Sequence, residues 1–245
     1  MVLRYGRSSN WVRKQLTEAK ITKNEIKPQP VVIVADSTFF RRDFVVCVFR
    51  EPHLKKNLHW QLTDTETSVV YKIARSNLEK QGFEMSAIVL DAKHGLREVF
   101  YDIPVQICHF HQKAIITRYL TSMPKLEAGR ELKYLTSLLN HSNQEEFTML
   151  LNAWYVRWQD FLKEKTTDWE SGRWHYTHKR LRAAYRSLKT NLPYLYTYQK
   201  YPELNIPNTT NSLEGTFSHL KELVNIHRGL SLKMKIKIIE EILGG

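Results

Sequence analysis

The chain is poor in the features that staple a protein or anchor it in a membrane. Only two cysteines, Cys47 and Cys108, occur in its 245 residues. That is too few for the disulfide framework of a small secreted domain, so a reducing compartment is expected. No run approaches the ~18 consecutive apolar residues of a membrane span, and the basic N-terminus lacks the apolar stretch of a secretion signal. The chain reads as intracellular. Acids are scarce too: 25 Asp and Glu stand against 37 Lys and Arg, a formal net charge of +12. Such an excess points to a polyanionic partner, nucleic acid before membrane, the plain alternative being a soluble basic protein. The sequence is not short of core material, because 42% of it is hydrophobic.

Residues 1–21 read as a short helical unit, with a turn at 5–9, a serine N-cap and an apolar stripe of Trp11, Val12 and Leu16. It fits either the second half of a helix-turn-helix, with Asn10, Arg13 and Lys14 towards DNA, or an ordinary amphipathic helix. Residues 22–30 are polar and hold two prolines, which reads as a linker. Residues 31–35, 44–49 and 58–63 then pattern as strands, 68–82 as a helix stopped by Gly82, 87–90 as a strand, 95–102 as a short helix and 105–108 as a last strand. The first two strands are too close in sequence for a helical crossover and should be antiparallel, whereas strands joined through helices should be parallel. This predicts a mixed five-stranded α/β sheet over 31–111 with flanking helices. Residues 112–205 are helical in pattern and read as an all-helical insertion. Residues 206–245 return to the core with two further helices.

Chemistry-bearing residues gather at strand ends. Asp36 follows one β-branched run and Asp91 follows another, and strand ends are where ligands collect in α/β sheets. Two such carboxylates on one sheet offer a divalent ion hard oxygen ligands. Each aspartate alone could equally start a turn. Glu214 stands three residues after Asn211, so a helix capping box explains it as well as a metal does. Cys108 and His111 form a C-x-x-H pair. A zinc site would need further ligands, His175 and His178 among the options, and the preferred reading buries Cys108 and lines a cleft with His111. Residues 171–202 contain no acid, while Lys179, Arg182, Arg186 and Lys189 fall on one helical face. That face suits phosphate contacts, and Trp174, Tyr176 and Tyr194 could stack on bases. For Trp154, Trp158 and Trp169 a packing role is expected.

Asp36, Asp91, Cys108-x-x-His111, a helical insertion and then Glu214 occur in that order. The set resembles the Mutator-like insertion-sequence transposases, members of the DDE superfamily with an RNase H-like catalytic domain. The tract from Thr210 to Gly215, with Lys221 and the run from His227 to Ser231, is especially similar to these bacterial enzymes. The resemblance spans roughly residues 31–243. It implies that Asp36, Asp91 and Glu214 hold two magnesium or manganese ions and that the enzyme cleaves and transfers DNA strands by in-line attack of water or a 3′-hydroxyl. It also implies that Cys108 and His111 support the active site, and that His227 and Arg228 contact DNA. The partners would be element ends and target DNA, bound by a homo-oligomer in the bacterial cytoplasm near the nucleoid. Such enzymes carry a longer N-terminal DNA-binding region than 1–21 supplies, which leads to the expectation of a truncated copy. The competing expectations are a non-catalytic DNA-binding remnant and another RNase H-like nuclease.

Overall fold

Alternating burial along a single strand determines how this molecule is layered. A computed structural model describes residues 8–18, 26–40, 43–226, 229 and 231–244. Strand β1 (Pro30–Phe40) buries Val31, Ile33 and Ala35 in one apolar core and Val32, Val34 and Phe40 in another, as period-two side chains must when both faces are covered. Its partners are β2 (Phe44–Glu51) and β3 (Lys56–Thr63), joined antiparallel in sequence, and β4 (Glu84–Leu90), parallel to β1. Strand β5 (Val105–Ile107) completes the order β3-β2-β1-β4-β5. The sheet is α/β, mixed and RNase H-like.

Helix α1 (Ser9–Glu18) precedes the sheet, and the Ser8 hydroxyl accepts from the Trp11 amide at 3.2 Å, the expected serine cap. Helix α2 (Ser68–Lys80) covers the first face through Val70, Tyr71, Ala74 and Leu78. It ends before Gly82, whose φ of +85° suits glycine and whose missing Cβ leaves room for Pro28, 3.1 Å from where that atom would lie. Between β4 and β5 the expected helix is a single 3-10 turn (Arg97–Phe100). One turn is enough to bury Val99 and Phe100 beneath α2.

The insertion holds α3 (His109–Leu120), α4 (Glu127–Ser137), α5 (Gln144–Lys163), α6 (Lys179–Leu195) and α7 (Thr197–Lys200) around a core of its own. Helix α5 starts with a complete capping box, Asn143 and Glu146 exchanging bonds at 2.9 and 3.0 Å. Between α5 and α6 the chain makes a two-stranded hairpin, β6 (Lys165–Thr167) with β7 (Trp174–Tyr176). Trp154 packs as expected, 4% exposed with its indole N–H on the Ala128 carbonyl, and Trp158 is partly buried. Trp169 does not pack: it is 88% exposed. It sits in the hairpin turn, where Asp168 accepts from the amides of Glu170 and Ser171 and no element lies over it. Helices α8 (Asn211–Ile226) and α9 (Leu232–Gly244) close the second face through Leu213, Phe217, Leu220, Ile239 and Leu243. Among the described residues no helix is long and apolar enough to cross a membrane.

Candidate active site at the sheet edge

The parallel register of three strands fixes the site. Val34 of β1 pairs with Val89 of β4, and Leu90 of β4 pairs with Ile107 of β5. Continuing both registers sets Asp36, Asp91 and Cys108 side by side in a row across the sheet. The Cys108 amide, donating to the Leu90 carbonyl at 2.9 Å, extends that register beyond β5. Burial alternates so that Asp36 follows Val34, and Asp91 follows Val89, onto the face covered by α8. Neighbouring strands lie about 4.8 Å apart, so the two residues emerge from adjacent positions of the sheet, and Asp91 acts electrostatically on Asp36.

Asp36 does not close β1, as the apolar run suggested. The strand continues to Phe40, because β2 goes on pairing with it (Asp36 opposite Val48) after β4 has ended. Asp36 thus lies where β4 has stopped pairing with β1 while β2 continues. Its Oδ1 accepts from the Ser37 amide at 2.8 Å. Its Oδ2 accepts from the Thr210 hydroxyl at 3.3 Å and faces His111 Nε2 at 3.8 Å. Burial pushes its pKa up to about 6, with His111 and the Ser37 amide opposing and Asp91 and Glu66 adding to the rise.

Cys108 is buried as expected, and His111, one turn into α3, is partly buried beside Asp36. Burial lowers the His111 pKa, but Cys108, Asp36 and Asp91 outweigh it and lift it to about 9, so the ring is cationic at neutral pH. Cys108 acts on the ring first as a hydrogen-bonding neighbour and then through charge, although Nδ1 has no partner at strict hydrogen-bonding geometry. Burial raises the Cys108 thiol, while His111 and Thr210 pull it below its ordinary value on balance. The Thr210 amide also donates to Cys108 Sγ at 3.3 Å. Thr210, wholly buried just before α8, therefore joins the start of that helix to both Cys108 and Asp36.

Glu214 lies one turn beyond Thr210. Helix α8 begins at Asn211, which puts Asn211 inside the first turn and not at the cap position of a box with Glu214. Arg50 of β2 fixes this turn of α8, donating to the Thr216 hydroxyl at 2.8 Å and to the Lys55 carbonyl at 2.7 Å. Among the described residues, no three His, Cys, Asp or Glu side chains stand close enough to hold a metal together. The donor set fits a hard divalent ion in part. Asp36 and Asp91 interact electrostatically, but neither Glu214 nor any other His, Cys, Asp or Glu among the described residues joins them as a third ligand. A zinc site on Cys108, His111, His175 and His178 does not form; His178 instead stacks on Phe161 at 3.7 Å and meets Glu164 at 2.9 Å.

Besides Thr210, two further site residues have roles that the sequence reading did not assign. Glu66, in the loop before α2, is 8% exposed, accepts from Tyr71 Oη at 2.7 Å and from Lys93 Nζ at 2.9 Å, and acts electrostatically on Asp36. Lys93 follows Asp91 by two residues. In sequence Glu66 is one acid in a polar stretch with Asp64, and nothing local marks it as inward-facing.

The basic face of α6 divides in two. Lys179, Arg186 and Lys189 are exposed. Arg182 is not free for phosphate: it donates to the Leu162 carbonyl at 2.6 Å and lies 3.6 Å over the Tyr176 ring, because it bridges the end of α5 and the hairpin. Tyr194 is likewise occupied, under Arg97 at 4.6 Å, while Trp174 is 55% exposed with Lys165 at 3.9 Å. Lys14 meets Glu18 at 3.9 Å on the surface of α1. The Arg13 side chain, His227 and Arg228 lie outside the described residues. Comparison with protein-family models and with curated proteins finds no match to this sequence.

Proposed function

We propose that this chain is the catalytic domain of a DDE-type DNA transposase of the Mutator-like kind, cleaving and joining phosphodiesters at the edge of its RNase H-like sheet. The observation that carries the reading is the register that sets Asp36 beside Asp91 on adjacent parallel strands. Two divalent ions, magnesium or manganese, would supply the Lewis acidity for in-line attack. Asp36 and Asp91 would hold them, with Glu214 brought in from α8. In this reading His111 keeps Asp36 ionised and Thr210 orients its outer oxygen. Lys179, Arg186 and Lys189 would hold the DNA backbone, which suits a chain with a net charge of +12. The chain would act as a homo-oligomer on element ends and target DNA.

A second reading is a DNA-binding protein derived from such an enzyme but without its chemistry. The absence of any three-membered group of metal-ligating side chains among the described residues favours it. The experiment uses DNA carrying the genomic sequence that flanks the coding region, with manganese or magnesium against EDTA. Metal-dependent nicking that disappears in Asp36→Asn and Asp91→Asn supports the enzyme. Binding without nicking in the wild type, unchanged in those variants, overturns it in favour of the second reading.

A further inference from the structure

The acidic edge contains a lysine that the catalytic reading does not use. Lys93 lies in the loop that leaves β4 directly after Asp91, at the sheet end where ligands approach α/β folds. Its ammonium is held by one residue, donating to the Glu66 carbonyl at 2.5 Å and to Glu66 Oε2 at 2.9 Å. The two partners are unequal. The Glu66 side chain is 8% exposed and clamped from behind by Tyr71, itself 1% exposed, at 2.7 Å. The Lys93 side chain is 39% exposed and is fastened only at its tip. Glu66 is therefore the fixed member and Lys93 the movable one. An ammonium carries three donors, and Glu66 takes two of them.

Charge in the cluster points the same way. Asp36, Asp91 and Glu66 supply three carboxylates, of which Asp36 faces His111 and Glu66 meets Lys93. The pair is half-buried, with Glu66 covered and Lys93 reaching solvent. Glu66 acts electrostatically on Asp36, and Lys93 stands two residues beyond Asp91, which gives the pair another use.

We infer that Lys93 contacts a backbone phosphate of the bound nucleic acid at this edge, and that Glu66 holds it in readiness until the phosphate arrives. The inference rests on the nucleic-acid reading above and names a residue of the same site. A phosphate offers the ammonium oxygen acceptors like those it leaves on Glu66, at a flexible stem's reach from Asp91. Glu66 meanwhile keeps its bond from Tyr71, so its carboxylate is not stranded when Lys93 turns away.

The test is duplex DNA binding by the full chain, followed by fluorescence anisotropy across a salt series in calcium buffer. The variants are Lys93→Gln, Glu66→Gln, the double variant and Lys93→Arg. Losing one phosphate contact should lower the slope of log K against log salt by about 0.9. Lys93→Gln should show that loss together with a several-fold drop in affinity, and Lys93→Arg should restore the slope. Glu66→Gln should bind more tightly than wild type, and the double variant should fall back to the level of Lys93→Gln. If Lys93→Gln melts earlier but keeps the wild-type slope, or if Lys93→Arg fails to restore a lowered slope, the pair is only a tie between two loops and the inference is overturned. If the wild type shows no salt-dependent binding, the nucleic-acid reading falls and takes this inference with it. A normal wild-type slope shared by Lys93→Gln removes the inference alone.

Discussion

Charges at the sheet edge and charges on the insertion are held in opposite ways. Asp36, Glu66 and His111 are between 8% and 22% exposed at their side chains, and each touches a polar or charged neighbour. Lys179, Arg186 and Lys189 stand in solvent on α6, a helix whose other face is buried through Leu181, Ala184, Tyr185 and Leu188. The first arrangement shifts pKa values, against the charged form of Asp36 and in favour of those of Glu66 and His111. The second leaves the fold indifferent and is sensitive to salt instead. Burial, more than residue type, decides which kind of electrostatics a charge takes part in. Arg182 shows this within one helix, because its neighbours over the hairpin turn it from a surface cation into a brace.

The comparison requires the insertion to be a rigid platform, and its core is where it can be broken most severely. Trp154 stacks on Tyr185 at 5.5 Å and bonds to the Ala128 carbonyl across α4. Trp154→Ala should cost about 3–5 kcal/mol, as large-to-small changes of buried aromatics do. A chemical melt checks this. A loss below about 1 kcal/mol would mean that the insertion is loosely packed and its basic face poorly fixed.

Next in size is the stored energy at the sheet edge. The pKa of Asp36 rises from 3.8 to about 6 on folding, so the folded state binds its proton more tightly than the unfolded state. Stability therefore falls as pH climbs from about 4 to 6, and the penalty stays in full above that window. His111 goes from 6.5 to about 9. Its charged form stabilises the fold fully below 6.5, and that contribution is lost as pH rises through 9. At about 1.4 kcal/mol per pH unit, the Asp36 penalty is roughly 3 kcal/mol. Asp36→Asn removes it but also removes the anion facing His111. The net gain at pH 7 in EDTA should be roughly 2 kcal/mol, about 4–8 °C in melting temperature for a chain of this size. A variant that melts below wild type at pH 7 would show that the edge is not strained by its own carboxylates.

The two kinds of basic residue on α6 separate at a smaller scale. Arg182→Ala should lower stability by about 1–2 kcal/mol, through one charged hydrogen bond and one cation–π contact, and leave the salt slope of DNA binding unchanged. Arg186→Ala should do the reverse, lowering the slope by about 0.9 at constant melting temperature. If both lower the slope, Arg182 swings free on DNA and the distinction drawn between them fails.

These cases also show how much the sequence discloses. The mix of antiparallel and parallel strands was legible because loop length decides between the two kinds of pairing. Asp36 and Asp91 stood out because a carboxylate after four apolar residues is conspicuous. Where β1 ends was not legible, since that depends on β2 continuing to pair past β4, a fact about a different strand. Glu66 and Thr210 were hidden for a similar reason. Each is an ordinary polar residue near a helix start, and only the fold brings it to Asp36. Trp169 looked like core because tryptophan usually is, and the turn at Asp168 overrides that preference.

The smallest effect is expected at Trp169 itself, and it closes the comparison with Trp154. The β6–β7 turn is held by bonds that bypass the indole. Asp168 Oδ1 accepts from the amides of Glu170 and Ser171, the Asp168 amide donates to the Arg173 carbonyl, and the hydroxyls of Thr166 and Thr177 meet at 2.8 Å. With 88% of its surface in water, Trp169 has little burial to lose. Trp169→Ala should move stability by no more than about 0.5 kcal/mol, whereas Asp168→Ala, which removes the turn's acceptor, should disturb the hairpin more. Hydrogen exchange at the Gly172 and Arg173 amides reads the difference directly. Faster exchange in Trp169→Ala than in Asp168→Ala would show that the indole folds back on the hairpin in solution and that its packing role, not its exposure, is the correct description.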